Sequence, residues 1–83
     1  MAGVRVTVRL SGPMAQRLGS RRSVELGPGA TADDLVAALA QAAGFDPAAL
    51  RGLAVVAGGS FVSRDRPLTD GEELDVLVPV AGG

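Results

Sequence analysis

The residues of this sequence with the clearest chemical potential are its last ones, where an apolar run meets two glycines. The letters VLVPVAGG cover residues 76–83, so Ala81 and Gly82 lead to a carboxyl group on Gly83. Glycine has no side chain to obstruct a narrow channel, and it reaches backbone conformations closed to other residues. A second protein could therefore bring this carboxylate to the α-phosphate of ATP and form an acyl-adenylate, which sulfide, a persulfide or an amine would attack. A frayed terminus is the alternative interpretation.

The composition argues against a catalytic site within the chain itself. Its 83 residues contain no Cys and no His, and all eight basic residues are Arg, so there is no Lys. The chain therefore lacks a thiolate nucleophile, an imidazole base and a Schiff-base amine, as well as the usual zinc ligands. We predict that the protein is not an enzyme, has no intrinsic catalytic residue or metal site, and binds no cofactor of its own.

Charge and hydropathy narrow the choice of location and partners. The net charge is −1, with acidic residues concentrated in the second half, which indicates either a solvated surface or an acidic collar for a basic partner. No polybasic footprint for nucleic acid and no membrane-length apolar run is present. Arg5 and Arg9 interrupt the first apolar run, whereas a secretion signal has an uninterrupted apolar region. The N-terminus therefore does not resemble a secretion signal. We expect a cytoplasmic protein with neither nucleic-acid nor membrane partners.

The first half of the sequence predicts two strands and one amphipathic helix. Residues 4–10 alternate strictly between apolar and polar, which is typical of a strand with one buried face, and residues 23–26 indicate a second strand. One helical turn is expected over residues 14–18. Thr31 is a good N-cap for a helix that Gly44 would end. The apolar stripe predicted for this helix is Leu35, Val36, Leu39, Ala42 and Ala43.

The second half predicts three more strands, over residues 53–56, 61–62 and 74–80. Gly58 and Gly59 favour a hairpin turn over a phosphate-binding loop, because no P-loop lysine or following helix is present. Asp70 and Gly71 predict a second turn. The carboxylates of DGEELD could imitate a catalytic pair, but solvation is the simpler interpretation. The predicted order is β-β-α-β-β-β, with the last strand beside the first in the sheet.

These elements define an α+β fold: a mixed sheet of four to five strands with one main helix packed across it. We expect one domain over residues 1–80 and a flexible Ala-Gly-Gly tail over residues 81–83. Leu77 has the opposite parity to its buried neighbours and should point away from the helix. Leu77 and Phe61 could together form an apolar docking patch, with core packing as the alternative for Phe61.

Two stretches resemble a known family. VSRDRPLTDGEELDVLVPVAGG (62–83) resembles the C-terminal half of the MoaD/ThiS sulfur-carrier proteins, above all the small subunit of molybdopterin synthase. VELGPGATADDLVAALA (24–40) is similar to that family's helix region. The resemblance covers nearly the whole chain, and it implies a ubiquitin-like β-grasp fold.

The resemblance also implies a set of partners. An E1-like adenylyltransferase would use ATP to adenylate Gly83, and a sulfurtransferase or sulfide source would convert it to a thiocarboxylate. Molybdopterin synthase large subunit, or another sulfur-accepting enzyme, would take in Ala81 and Gly82, while Pro79 and Val80 line the partner groove.

The opening RLSGPMAQRLGS, the VAGG at 56–59 and the VPV at 78–80 differ from the usual molybdopterin carriers. The sequence therefore leaves several functions open besides molybdenum cofactor biosynthesis. Related carriers serve thiamine, cysteine, tRNA thiolation or other sulfur-bearing metabolites, and some are joined to protein lysines. A plain binding module with an inert tail is the remaining alternative.

Overall fold

The computed structural model of the chain describes residues 3–45 and 52–77. These residues form five strands and two helices. In chain order the elements are β1 (Val4–Leu10), α1 (Gly12–Leu18), β2 (Arg21–Leu26), α2 (Ala32–Ala43), β3 (Ala54–Ala57), β4 (Ser60–Phe61) and β5 (Glu73–Leu77).

The strands form one mixed sheet in the order β2-β1-β5-β3-β4. β1 runs parallel to β5 and antiparallel to β2, while β3 runs antiparallel to both β4 and β5. The prediction that the last strand lies centrally, beside the first, is confirmed. An apolar strand with a neighbour on each side suits this position because both of its edges are hydrogen-bonded.

The core lies between one face of the sheet and α2. The alternation of β1 buries Val6 and Val8 completely, and β5 contributes Leu74 and Val76 to the same layer. The α2 residues that complete the core are Ala32, Leu35, Val36, Leu39, Ala40 and Ala43. The opposite face of the sheet carries no helix among the described residues, and we call it the open face.

The ends of α2 form as the sequence predicts. The Thr31 hydroxyl accepts the Asp34 N–H, and the Asp34 carboxylate accepts the Thr31 N–H at 2.9 Å, which completes a capping box. Gly44 ends the helix in the left-handed conformation at φ 76°. The loop before β5 closes over the same N-terminus, because the carbonyls of Arg64 and Arg66 accept the N–H groups of Asp33 and Ala32.

The structure corrects several details of the sequence prediction. β2 begins at Arg21 rather than Ser23, because residues 21–23 also pair with β1. These residues are polar and show no apolar alternation, so the sequence pattern did not predict them as part of a strand. The predicted helical turn is a two-turn helix that starts at Gly12, where Pro13 suits the first turn. Ala42 is exposed, and Ala40 takes the predicted core position instead.

The later strands are each displaced by one residue from their predictions, to 54–57 and 60–61. The hairpin between them is confirmed, since Gly58 and Gly59 have φ values of 59° and 83°. No helix in the described ranges is long and apolar enough to cross a membrane.

Candidate functional site: the end of the central strand and the open face

The predicted tail follows the central strand of the sheet. β5 is described to Leu77, six residues before Gly83 in the sequence. The predicted site residues Pro79, Val80, Ala81, Gly82 and Gly83 lie outside the described residues, as do the last three residues of the predicted strand and the domain boundary after residue 80. What the structure does establish is how β5 itself is held.

A turn at the beginning of β5 fixes this strand against β1. The Asp70 carboxylate accepts the Arg5 N–H at 2.8 Å, and the Gly71 N–H donates to the Arg5 carbonyl at 2.7 Å. The Thr7 N–H donates to the Glu72 carbonyl at 3.0 Å, which starts the parallel ladder. Gly71 has φ 84°, a backbone conformation that residues with a side chain rarely adopt. The direction in which β5 runs is therefore set by the hydrogen bonds that join this turn to β1.

The side chain of Glu72 closes the turn from inside. It accepts a hydrogen bond from Arg66 Nη2 at 2.7 Å and another from the Thr69 N–H at 3.0 Å, and only 14% of it is exposed. Burial alone would raise the pKa of Glu72. The hydrogen bonds from Arg66 and Thr69, together with the Arg66 charge, outweigh burial and lower the pKa below its ordinary value. Glu72 is thus a structural carboxylate.

The open face carries an apolar patch on the β3–β4 side of β5. Phe61 is 79% exposed and Leu77 is 42% exposed. The strand register places Leu77 opposite Ala54, and Phe61 opposite Val56, so all four residues share one face. We call these four residues the open-face patch. The expectation that Leu77 points away from the helix is confirmed, and core packing of Phe61 is excluded by its exposure.

The other half of the open face is charged and internally paired. Arg9 Nε donates to Asp75 Oδ1 at 2.7 Å, and its Nη2 donates to Oδ2 at 3.3 Å. This hydrogen bonding, and then the Asp75 charge, raise the pKa of Arg9. Three ion pairs cross the strands of this face: Arg5–Glu25, Arg9–Asp75 and Arg21–Glu73. Exposed pairs of this kind add little stability. They do make this half of the open face polar, in contrast to the apolar half.

Sequence reasoning did not single out Ala54 and Val56 as members of the patch. The signal was present in the strand period, because both residues alternate with the buried Val55. Their placement opposite Leu77 and Phe61 depends on register, which the sequence alone did not fix. Within the described ranges, no three acidic side chains come together as a candidate metal site.

The arrangement of one helix across a five-stranded mixed sheet, with parallel first and last strands, defines a ubiquitin-like β-grasp protein. The sequence profile of the ThiS family matches residues 8–83, which is most of the chain. The chain therefore belongs to the ThiS family, and the predicted relationship to the MoaD/ThiS sulfur carriers is confirmed. No curated protein sequence matches it.

Solved structures agree with this fold. A molybdopterin converting factor subunit 1 from Pyrococcus furiosus is 25% identical, with a TM-score of 0.75, and the match covers 93% of this chain and 99% of that one. Small archaeal modifier protein 1 of H. volcanii is 21% identical, with a TM-score of 0.76 and coverage of 94% and 100%. Caldiarchaeum subterraneum ubiquitin is 15% identical, with a TM-score of 0.68 and coverage of 99% and 100%.

Proposed function

We propose that this protein is a sulfur carrier whose Gly83 carboxyl group is activated and loaded by other proteins. The observation that carries the proposal is the match to the ThiS family, which extends through Gly82 to Gly83. The strand that leads toward these residues is the central one, bonded to a neighbour on each side. A tail that follows such a strand would be presented by a rigid body, which suits a carrier.

The proposed chemistry has two steps. A Gly83 carboxylate oxygen attacks the α-phosphate of ATP, pyrophosphate leaves, and an acyl-adenylate forms on an E1-like adenylyltransferase. Hydrosulfide supplied by a sulfide source or sulfurtransferase then attacks the carbonyl carbon and expels AMP, which leaves a thiocarboxylate. Transfer of that sulfur to an acceptor and addition of water restore the carboxylate. In both steps the partner proteins supply the catalytic groups. In this proposal the carrier itself is therefore not an enzyme.

The open-face patch supplies a docking surface for these partners. Phe61 and Leu77 are large apolar side chains that are exposed to solvent rather than packed in the core. Pro79 and Val80 come shortly after Leu77 in the sequence. Exposed apolar patches often mark sites of protein–protein interaction, because a bound partner removes the apolar surface from water. We propose that a partner binds the patch and receives Ala81 and Gly82 in the same encounter.

We propose molybdopterin biosynthesis as the pathway, with the large subunit of molybdopterin synthase as the acceptor and the cytoplasm as the location. The likeness to the Pyrococcus furiosus molybdopterin converting factor subunit supports this choice. Fold alone does not distinguish acceptors, because carriers with one fold can meet different enzymes. A carrier for another sulfur pathway is the alternative.

The proposal is tested by ATP–pyrophosphate exchange with the purified adenylyltransferase. The full chain should support exchange, a chain lacking Gly82 and Gly83 should not, and Gly83→Ala should support it weakly because its methyl group enters the channel. Exchange that continues without the two glycines would contradict the proposal. Incubation of the loaded carrier with candidate acceptor enzymes would then identify the pathway by the sulfur-containing product.

Attachment to lysines of other proteins is the second candidate function. It uses the same acyl-adenylate, with an amine in place of hydrosulfide. Because the chain has no Lys, it cannot form lysine-linked chains of itself. Immunoblots for higher-mass adducts that disappear with Gly83 would distinguish a modifier from a carrier that only transfers sulfur.

A further inference from the structure

We propose that the bond between Asp70 and Gly71 is a site of isomerisation to isoaspartate, and that the contacts of the folded turn suppress this reaction. Asp70 is the only aspartate of the sequence that is followed by glycine, and the sequence contains no asparagine. Both residues are exposed at the surface. The inference concerns the turn before β5 and does not depend on the proposed carrier function.

The reaction needs only these two residues and water. The Gly71 nitrogen bonds to Asp70 Cγ, and a carboxyl oxygen leaves as water with the amide proton and the proton of the neutral acid. Water then adds to one of the two carbonyl carbons of the succinimide ring. Addition at Cγ restores aspartate, whereas addition at the backbone carbonyl leaves isoaspartate, whose main chain runs through Cβ and Cγ. Glycine favours ring closure because it has no side chain to hinder its nitrogen.

In the folded turn, the backbone of Arg5 binds both reacting groups. The Arg5 N–H donates to Asp70 Oδ1 at 2.8 Å, and the Gly71 N–H donates to the Arg5 carbonyl at 2.7 Å. The Gly71 nitrogen must give up its proton before it can bond to Cγ, so its contact with Arg5 has to break first. The Asp70 carboxyl group is held by the same residue, which restricts its rotation toward that nitrogen.

Contacts between the residues on either side of this bond keep the turn closed. The Glu72 carboxylate accepts hydrogen bonds from the Thr69 N–H at 3.0 Å and from Arg66 Nη2 at 2.7 Å. The Glu72 N–H donates in turn to the Thr69 carbonyl at 3.0 Å. Because these bonds span the reacting pair, isomerisation should proceed through molecules in which the turn has opened locally.

The other aspartates of the described ranges are less suited to the reaction. Asp33 and Asp34 lie in α2, Asp75 lies in β5, and all three precede residues with side chains, as does Asp65 in the loop before β5. A side chain on the next residue hinders its nitrogen, and the hydrogen bonds of a helix or strand hold that nitrogen in place. Isoaspartate should therefore form first in the turn.

Isomerisation would remove the anchor of β5. The main chain of isoaspartate is longer by one methylene group, and its carboxylate is attached directly to Cα. The Arg5 N–H and carbonyl would then lose the spacing of partners that the aspartyl turn provides. The next bond of the ladder joins the Thr7 N–H to the Glu72 carbonyl at 3.0 Å, so the change reaches the beginning of the central strand.

Storage of the full chain at neutral pH and physiological temperature tests this inference. A protein L-isoaspartyl methyltransferase with labelled S-adenosylmethionine detects the product, because it methylates the isoaspartyl carboxylate. Peptide mapping then locates the product by a changed retention time at unchanged mass. We expect isoaspartate at position 70, formed at least ~10-fold more slowly in the folded chain than in the chain unfolded by urea.

Variants separate the effect of the fold from the chemistry of the bond. Glu72→Gln weakens the turn but leaves Asp70 and Gly71 in place, so the folded variant should isomerise about 5-fold faster than the unchanged chain. Glu73→Gln removes the same charge from a neighbouring side chain that is 66% exposed, and it should accelerate the reaction much less. Both variants should match the unchanged chain in urea. Asp70→Glu should abolish the signal, because the longer side chain would have to close a larger ring.

The isomerised chain, once purified, reports the effect on the strand. Hydrogen exchange at the Thr7 N–H should be at least ~10-fold faster in it than in the unreacted chain. Equal rates of isomerisation in the folded and urea-unfolded chains, equal acceleration by Glu72→Gln and Glu73→Gln, or unchanged exchange at Thr7 would overturn the inference. Removal of Gly82 and Gly83 should leave the rate unchanged, so failure here and failure of the carrier chemistry are separate outcomes.

Discussion

At the scale of single residues, the Glu72 carboxylate is expected to stabilise the turn before β5, because Arg66 and Thr69 both donate hydrogen bonds to it. Its folded-state pKa is below the ordinary value of 4.5, so the unfolded chain takes up the proton more readily. Its contribution is therefore present above pH 4.5 and is lost as pH falls through the folded-state pKa. Glu72→Gln should cost about 1 kcal/mol at neutral pH, after allowance for the partial exposure of Arg66, and little in acid.

Urea unfolding across this pH range measures the effect. Glu73→Gln is the matched control, because that neighbouring carboxylate is 66% exposed and lies 3.9 Å from Arg21. At neutral pH, Glu73→Gln should lower the free energy of unfolding much less than Glu72→Gln does, because an exposed ion pair adds little stability. Equal pH dependence in the two variants would show that the Glu72 contacts do not stabilise the turn.

Substitution of Phe61, also a single-residue change, should affect partner binding but not the stability of the fold. Because its ring is 79% exposed, Phe61→Ala should change the free energy of unfolding by less than about 0.5 kcal/mol. If the open-face patch docks the adenylyltransferase, the same variant should weaken that complex at least ~10-fold. Leu74→Ala is the contrasting variant, since Leu74 is 2% exposed and its loss should cost about 2–5 kcal/mol. Unchanged partner affinity in Phe61→Ala would remove the patch from the interface.

At the scale of elements, α2 depends on the capping box at its first turn. Thr31→Ala removes the hydroxyl that accepts the Asp34 N–H and should lower the free energy of unfolding by about 1 kcal/mol. Thr31→Ser keeps an acceptor and should lose much less. Thermal unfolding followed by circular dichroism compares the two, and equal losses would mean that the cap contributes through its methyl group rather than its hydrogen bond.

The elements also show what the sequence could and could not predict. β1 and α2 were predictable because a full hydrophobic period, a cap and a terminal glycine all indicate the same structure. The start of β2 was not, since residues 21–23 are polar and are held by pairing with β1. Ala40 and Ala42 were exchanged in the prediction because alanine carries little information about which face of a helix is buried. The strand register of Val56, and hence the full patch, required the folded sheet.

At the scale of the whole molecule, the fold separates two surfaces around one central strand. β5 is held by β1 on one side and β3 on the other, and the turn that contains Gly71 fixes where it begins. The open-face patch lies toward β4, and the ion-paired half of the open face lies toward β2. This division leaves the apolar half of the open face available to a partner, while ion pairs occupy the other half.

The measurement that tests the central claim most directly is the intact mass of the protein after incubation with its adenylyltransferase, ATP and sulfide. We expect the mass to rise by the difference between one sulfur and one oxygen atom, and fragmentation should locate the change at Gly83. A chain without Gly82 and Gly83 should keep its mass. An unchanged mass in the presence of active adenylyltransferase, or a sulfur atom located at any other residue, would contradict the account.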